Sequence, residues 1–383
     1  MKVEYSYLLK QFEVRGKKMN VKYIDLPKGT KADIILNAMR DQLRVCLFTL
    51  GPEVKDLESR FTRLCNTEFA VGVNSGTDAL FLSLKALNIG PRDEVVTAPN
   101  SFIATAASIA NTGAKPVFVD VNEEYNIDPN LIESAITSNT KAIMPVHLTG
   151  NPADMPRIVD IAERHSLFVI EDAAQAAGAS INGQAVGSFG IAGCFSLHPL
   201  KNLNVWGDGG VFVTNSKELF DKVILLRNHG LKNRDECEFF GYNSRLDTIQ
   251  AIVANHLMDD LDWVTNERIE NARTYDEAFS NLADYITIPP RRNNVRQVFH
   301  TYVIQAKERD KLSAYLAERG IETKVHYPIP IHLQKASEHL GYKEGGFPVC
   351  EAQCKSITSL PVHQHLTDDE ISYVIDNIRT FYS

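Results

Sequence analysis

Three short stretches carry side chains whose chemistry could be joined. In "FSLHPLKNLNVWGDGG", Phe195 to Gly210, a single lysine stands between an apolar run and a group of turn-forming residues. Lys201, if desolvated in an apolar crevice, would hold its proton less tightly, and its free amine could form an imine with an aldehyde. In "VIEDAAQ", Asp172 ends an apolar run. A carboxylate with little water around it needs a cationic partner, and a protonated ring nitrogen is one. In "NSGTDAL", Ser75, Gly76 and Thr77 lead into helix-patterned text. Free backbone N–H groups, a hydroxyl and the positive end of a helix suit a phosphate. Each stretch has a plainer reading: a surface lysine, an aspartate capping a helix, an ordinary N-cap at Ser75 or Thr77. Gln175 fits a capping-box-like turn with Asp172 or a hydrogen bond to a ligand in the same crevice.

The elements around these residues decide how they meet. Short apolar runs at 69–73, 94–98, 115–121, 141–148, 167–172, 193–197 and 210–215 alternate with helix-patterned segments such as "TDALFLSLKALN". Apolar strands without alternation, separated by helices, predict a mainly parallel α/β sheet of seven strands covered on both faces. Ligands gather at the carboxyl ends of such strands, where Ser75–Thr77, Asp172, Ser196 and Lys201 all fall. "NHLMDDLDWVTNERIENARTYDEAF" reads as a long connecting helix, and "HTYVIQA", "ERDKLSAYLAERG" and "ISYVIDNIRTF" as a smaller α+β unit. The expected organisation is an extension over 1–21, a large domain over 22–255, and the connecting helix with a small domain over 256–383.

Bulk properties exclude several classes. The 383 residues are 44% hydrophobic, enough for a sizeable core, and the net charge of −8 comes from interspersed acids and bases. No basic tract points to nucleic acid, and no apolar run approaches a membrane span. Neither a signal segment nor a paired-cysteine motif is visible among the six cysteines, so reduced thiols in the cytoplasm are expected. A nicotinamide dehydrogenase would need GxGxxG spacing, which "GVNSGTDA" lacks.

A phosphate cradle, a buried acid and an amine on one sheet are the three handles of pyridoxal 5'-phosphate. The blocks "NSGTDALFLSLKAL", "APNSFIATAASI", "VIEDAAQAAGA", "FSLHPLKNLNVWGDGG", "YNSRLDTIQA" and "VHYPIPIHLQ" occur in that order. They resemble the DegT/DnrJ/EryC1/StrS family of nucleotide-sugar aminotransferases over about residues 22 to 380. The resemblance implies aminotransferase fold type I, with Lys201 holding the cofactor as an imine and shuttling protons. It implies that Asp172 pairs with the ring nitrogen and Gln175 with the phenolic oxygen. Gly76, Thr77 and Ser196 would hold the phosphate, beside Ser75, and Phe102 would lie against the ring. Asn243 would reach the phosphate of a second subunit, making a homodimer with shared sites. In a sister branch of the family histidine replaces the lysine and the reaction is dehydration; the lysine here favours transamination.

The same resemblance implies L-glutamate as amino donor, 2-oxoglutarate as its product and a nucleotide-linked keto sugar as acceptor. "HYPIPIHL", His326 to Leu333, is similar to the branch that aminates C3, with His326 and Tyr327 at the sugar. A rigid proline-rich connection is the plainer reading. Amination at C4, and a non-catalytic regulatory protein on the same fold, are the alternatives.

Overall fold

The computed structural model describes residues 19–383, so most of the expected 1–21 extension lies outside the described residues. Seven strands form the central sheet: β1 (Phe69–Val73), β2 (Glu94–Thr97), β3 (Lys115–Phe118), β4 (Thr140–Met144), β5 (Phe168–Asp172), β6 (Ala192–Ser196) and β7 (Gly210–Thr214). Their order is β1-β7-β6-β5-β4-β2-β3. All neighbours are parallel except β7, which runs antiparallel to both β1 and β6. Each apolar run read from the sequence overlaps one of these strands, with β4 and β6 starting one residue earlier than their runs.

Burial on both faces explains why those strands do not alternate. Phe195, Val211 and Val213 pack with Leu57 and Phe61 of α2 (Pro52–Cys65) and Val253 of α7 (Thr248–Met258). Cys194 and Phe212, the residues between, pack on the other face with Leu80 and Leu84 of α3 (Gly76–Ala86) and Val223 of α6 (Lys217–Leu226). Alternate side chains go to opposite faces, and both faces are core. The large unit also carries the longer helices α1 (Ala32–Val45), α4 (Ile103–Ala110) and α5 (Met155–Arg164).

The expected long connecting helix is two. α7 stops at Met258, and α8 (Leu261–Phe279) begins after Asp259 and Asp260. The side chains at the break are drawn to other elements: Asp259 pairs with Arg60 of α2 and Asp260 with Lys31. The small unit is a three-stranded antiparallel sheet of β8 (Ile286–Thr287), β9 (Tyr302–Ala306) and β10 (Ile357–Leu360). Against it lie α9 (Arg309–Glu318) and α11 (Asp368–Phe381), with α10 (Pro348–Ser356) reaching towards β3. α11 starts with a reciprocal cap between Thr367 and Glu370. Val21 is fully buried in this core and bridges Ile321. None of the helices among the described residues is long and apolar enough to cross a membrane.

Candidate active site

The sheet brings its strand ends together at one crevice. Lys201 follows β6 and is half-buried; desolvation pulls its amine down to about 8, while the charge of Asp172 acts in the opposite sense. Asp172, the last residue of β5, is buried, and burial pushes its carboxyl up. Its donors work against that. Oδ2 accepts the Thr105 hydroxyl at 2.7 Å, and Oδ1 accepts the Ala174 N–H at 3.2 Å. No helix starts at Asp172, so the capping readings of Asp172 and Gln175 do not hold. Gln175 is buried and its Oε1 accepts the N–H of Thr149 at 2.7 Å.

The neighbouring acid, Glu171, is fully buried and does other work. Its two oxygens accept the N–H groups of Gly187, Phe189 and Gly190 and meet Nε2 of His147 at 3.1 Å. Nδ1 of His147 accepts the Ala153 N–H, so Nε2 carries the proton. One acid thus pins the turn into β6 and the other faces the crevice.

Ser75 is the N-cap of α3; its hydroxyl accepts the Asp78 N–H at 3.1 Å. Thr77 stands half-buried in the first turn. Gly76 lies where a Cβ would meet the Cβ of Ser196 at 2.6 Å, so only glycine lets the helix start approach β6. Ser196 is half-buried, and its Oγ accepts the His198 N–H. Capping and phosphate binding are compatible here, since the first-turn N–H groups of Gly76 and Thr77 need partners beyond the helix.

The small unit closes the crevice. Nδ1 of His326 lies 2.9 Å from the Ser359 hydroxyl of β10, and its ring stacks on Tyr23 at 5.7 Å. Burial first, then the charge of Lys201, push this imidazole down to about 4. The Tyr327 phenol is pushed up to about 12 by burial and by Asp172, with a hydrogen bond from Gln175 opposing them. Phe102, at the N-cap of α4, is exposed, and its ring centre lies 5.8 Å from that of Tyr327. A cavity of about 500 Å³ opens beside Lys201, walled by Trp206, Trp263, Arg268 and His365.

Ser75, Gly76, Thr77, Phe102, Asp172, Gln175, Ser196, Lys201, His326 and Tyr327 thus converge. Asn243 does not join them within this chain. It is exposed, pairs by backbone with Asn228, and precedes Ser244, which hydrogen-bonds Asp78 of α3. Sequence reading passed over Thr105, Thr149 and His300. His300 sits close to Lys201, Arg268 and His326, and its buried Nδ1 has no hydrogen-bond partner among the described residues.

The residues present fit pyridoxal phosphate: a desolvated amine for the aldehyde, a buried carboxylate for the ring nitrogen, and a glycine-cleared helix start for the phosphate. Comparison with known proteins agrees. Residues 30–379 match the DegT/DnrJ/EryC1/StrS aminotransferase family. A pleiotropic regulatory protein of Geobacillus stearothermophilus is 43% identical over 95% of this chain and 99% of its own. A UDP-N-acetyl-3-dehydro-alpha-D-glucosamine 3-aminotransferase of Acidithiobacillus ferrooxidans is 43% identical over 91% of this chain and 93% of its own. The crystal structure of DesV from S. venezuelae superposes with a TM-score of 0.92 at 38% identity, covering 94% of this chain and 98% of that one. With the fold, the crevice and these likenesses in agreement, the chain belongs to the DegT/DnrJ/EryC1/StrS family and is a pyridoxal-phosphate-dependent aminotransferase.

Proposed function

We propose that the protein transfers an amino group from L-glutamate to a 3-keto hexose carried on a nucleotide, leaving a 3-amino sugar and 2-oxoglutarate. The observation that carries this reading is the convergence of Lys201 with the His326–Tyr327 pair on one crevice. The cofactor supplies an aldehyde to carry the amino group and a ring to take up the electron pair released at the substrate carbon. Lys201 moves the proton: its neutral Nζ accepts at the substrate carbon and, once charged, gives the proton back. Asp172 would hold the ring-nitrogen proton, and Gln175, with Tyr327 beside it, would attend the phenolic edge. Ser75, Gly76, Thr77 and Ser196 would take the phosphate, and Phe102 would cover a ring face.

His326 supports a sugar at this wall. A neutral imidazole engages hydroxyl groups rather than anions, and its loop is fixed from two sides. The Ile331 N–H donates to the Pro99 carbonyl at 2.7 Å, and buried His332 lies 3.0 Å from Glu351. A rigid wall selects which ring carbon can approach, and misplacement by an ångström costs on the order of 10²-fold in rate. The aromatic and cationic walls of the adjoining cavity suit a nucleotide diphosphate. The name of the Acidithiobacillus relative supports position 3. The name of the Geobacillus relative points to regulation, yet the lysine, acid and phosphate groups are all in place, which favours catalysis.

The working unit is a homodimer with composite sites, in the cytoplasm. Ile34, Leu43 and Val45 on α1 and Phe240 near Asn243 in sequence are exposed apolar side chains that a second copy would cover. The free cysteines suit a reducing compartment. The test runs the reaction backwards. UDP- and dTDP-linked 3-amino and 4-amino sugars are offered with 2-oxoglutarate, and loss of the amine is followed by mass. The 3-amino compounds should react faster; preference for the 4-amino compounds would overturn the position while leaving transamination standing.

A further inference from the structure

Two hydroxyl groups stand behind Asp172. Oγ1 of Thr105 lies 2.7 Å from Oδ2 of Asp172, and Oγ of Ser101 lies 2.7 Å from that same Oγ1. All three residues are buried, with 3% of Ser101, 1% of Thr105 and 4% of Asp172 exposed. An ionised carboxylate only accepts, so the one proton of Thr105 points at Asp172. Towards Ser101, Thr105 can then only accept. The Phe102 carbonyl, 3.0 Å from the Ser101 oxygen, is the competing acceptor, and the contact to Thr105 is the shorter. The pair has one direction, from Ser101 through Thr105 to the carboxylate.

The other groups facing Asp172 are few. The Ala174 N–H holds Oδ1, Lys201 favours the charged carboxylate, and the His147 imidazole, the Tyr327 phenol and the Cys194 thiol complete the surroundings. Burial pushes the carboxyl up, and the Thr105 hydroxyl is the strongest single influence in the other direction. With Oδ2 held by Thr105 and Oδ1 by Ala174, the carboxylate cannot turn about its last bond without losing both contacts. We propose that Thr105, oriented by Ser101, is a positioning residue that keeps Asp172 ionised and fixes its plane towards the cofactor's ring nitrogen. This rests on the reading of Asp172 as the partner of that nitrogen. The proton at stake is shared between two sites. An ionised Asp172 leaves it on the ring nitrogen, where it strengthens the electron sink; a protonated Asp172 takes it away.

The experiment uses protein reconstituted with cofactor labelled with ¹⁵N in the ring. The ¹⁵N shift reports whether that nitrogen is protonated, independently of turnover. Thr105→Val, close in shape, should leave part of the population unprotonated at neutral pH. It should also raise the cofactor dissociation constant by roughly tenfold, the scale of one hydrogen bond to a charged group. Thr105→Ser should restore both. Ser101→Ala, which leaves the threonine in place without its donor, should give a smaller change of the same sign, and serves if the valine variant does not fold. Unchanged shift and affinity in both Thr105→Val and Ser101→Ala, while Asp172→Asn alters them, would overturn the proposal. An Asp172→Asn protein with the wild-type shift would overturn the underlying reading instead.

Discussion

Lys201 is a weaker base than a lysine in water because its amine has lost solvent without gaining a contact ion. Its neutral form is therefore available near pH 8. Apoprotein prepared without cofactor should capture pyridoxal phosphate at a rate that levels off above about pH 8. Below that the rate should fall about tenfold per pH unit, as the amine is protonated. Asp172→Asn should move the midpoint lower, because the carboxylate is what favours the charged amine. A midpoint near that of an ordinary lysine would show that the amine is solvated. At this scale the sequence was informative where chemistry and punctuation coincide. Asp172 ends an apolar run, Ser75 and Lys201 follow one within a few residues, and a strand end predicts a crevice. Thr105 and Thr149 carried no such mark. A threonine on an apolar helix looks like filler, and Thr149 acts through its backbone N–H, held in a left-handed conformation with φ of 63°.

Elements place the proposed phosphate cradle more narrowly than side chains do. The start of α3 and the end of β6 touch through Gly76 and Ser196, with no room for a methyl group between them. Gly76→Ala must push the helix start away from the serine hydroxyl. Cofactor affinity should fall by roughly tenfold, the scale of one overpacked contact, read by fluorescence titration of the apoprotein. Unchanged affinity would mean that phosphate is held elsewhere. The seven strands were legible because each run is short, continuously apolar and separated from the next by helix-patterned text. The break between α7 and α8 was not, because helical spacing continues through Asp259 and Asp260. Only Arg60 and Lys31, distant in sequence, draw those two aspartates out.

Over the whole molecule, the residue left outside the crevice is the informative one. Asn243 is exposed three residues from Phe240, itself 99% exposed, and a side chain placed so serves a neighbour or nothing. Lys201→Ala and Asn243→Ala proteins should each be severely impaired. After subunit exchange, mixed dimers should regain part of the wild-type rate, since one of their two sites holds both native residues. Exchange verified by mass without any rescue would count against composite sites. A contact between subunits would have no counterpart within one chain, so composition and spacing carry no sign of it.

The position of β7 has a consequence for the order of assembly. β1 lies at the edge of the sheet, and its ladder partner is β7, Phe69 against Thr214 and Val73 against Gly210. Gly210 in turn packs under the backbone of Ser75, where a Cβ would come within 2.3 Å. The turn that carries Ser75, Gly76 and Thr77 therefore emerges early in synthesis but has no ladder behind it until the far later strand slides between β1 and β6. Closing so long a loop is slow compared with local pairing. The strand that follows Lys201 is thus the one that ties the turn of Ser75, Gly76 and Thr77 to the rest of the sheet.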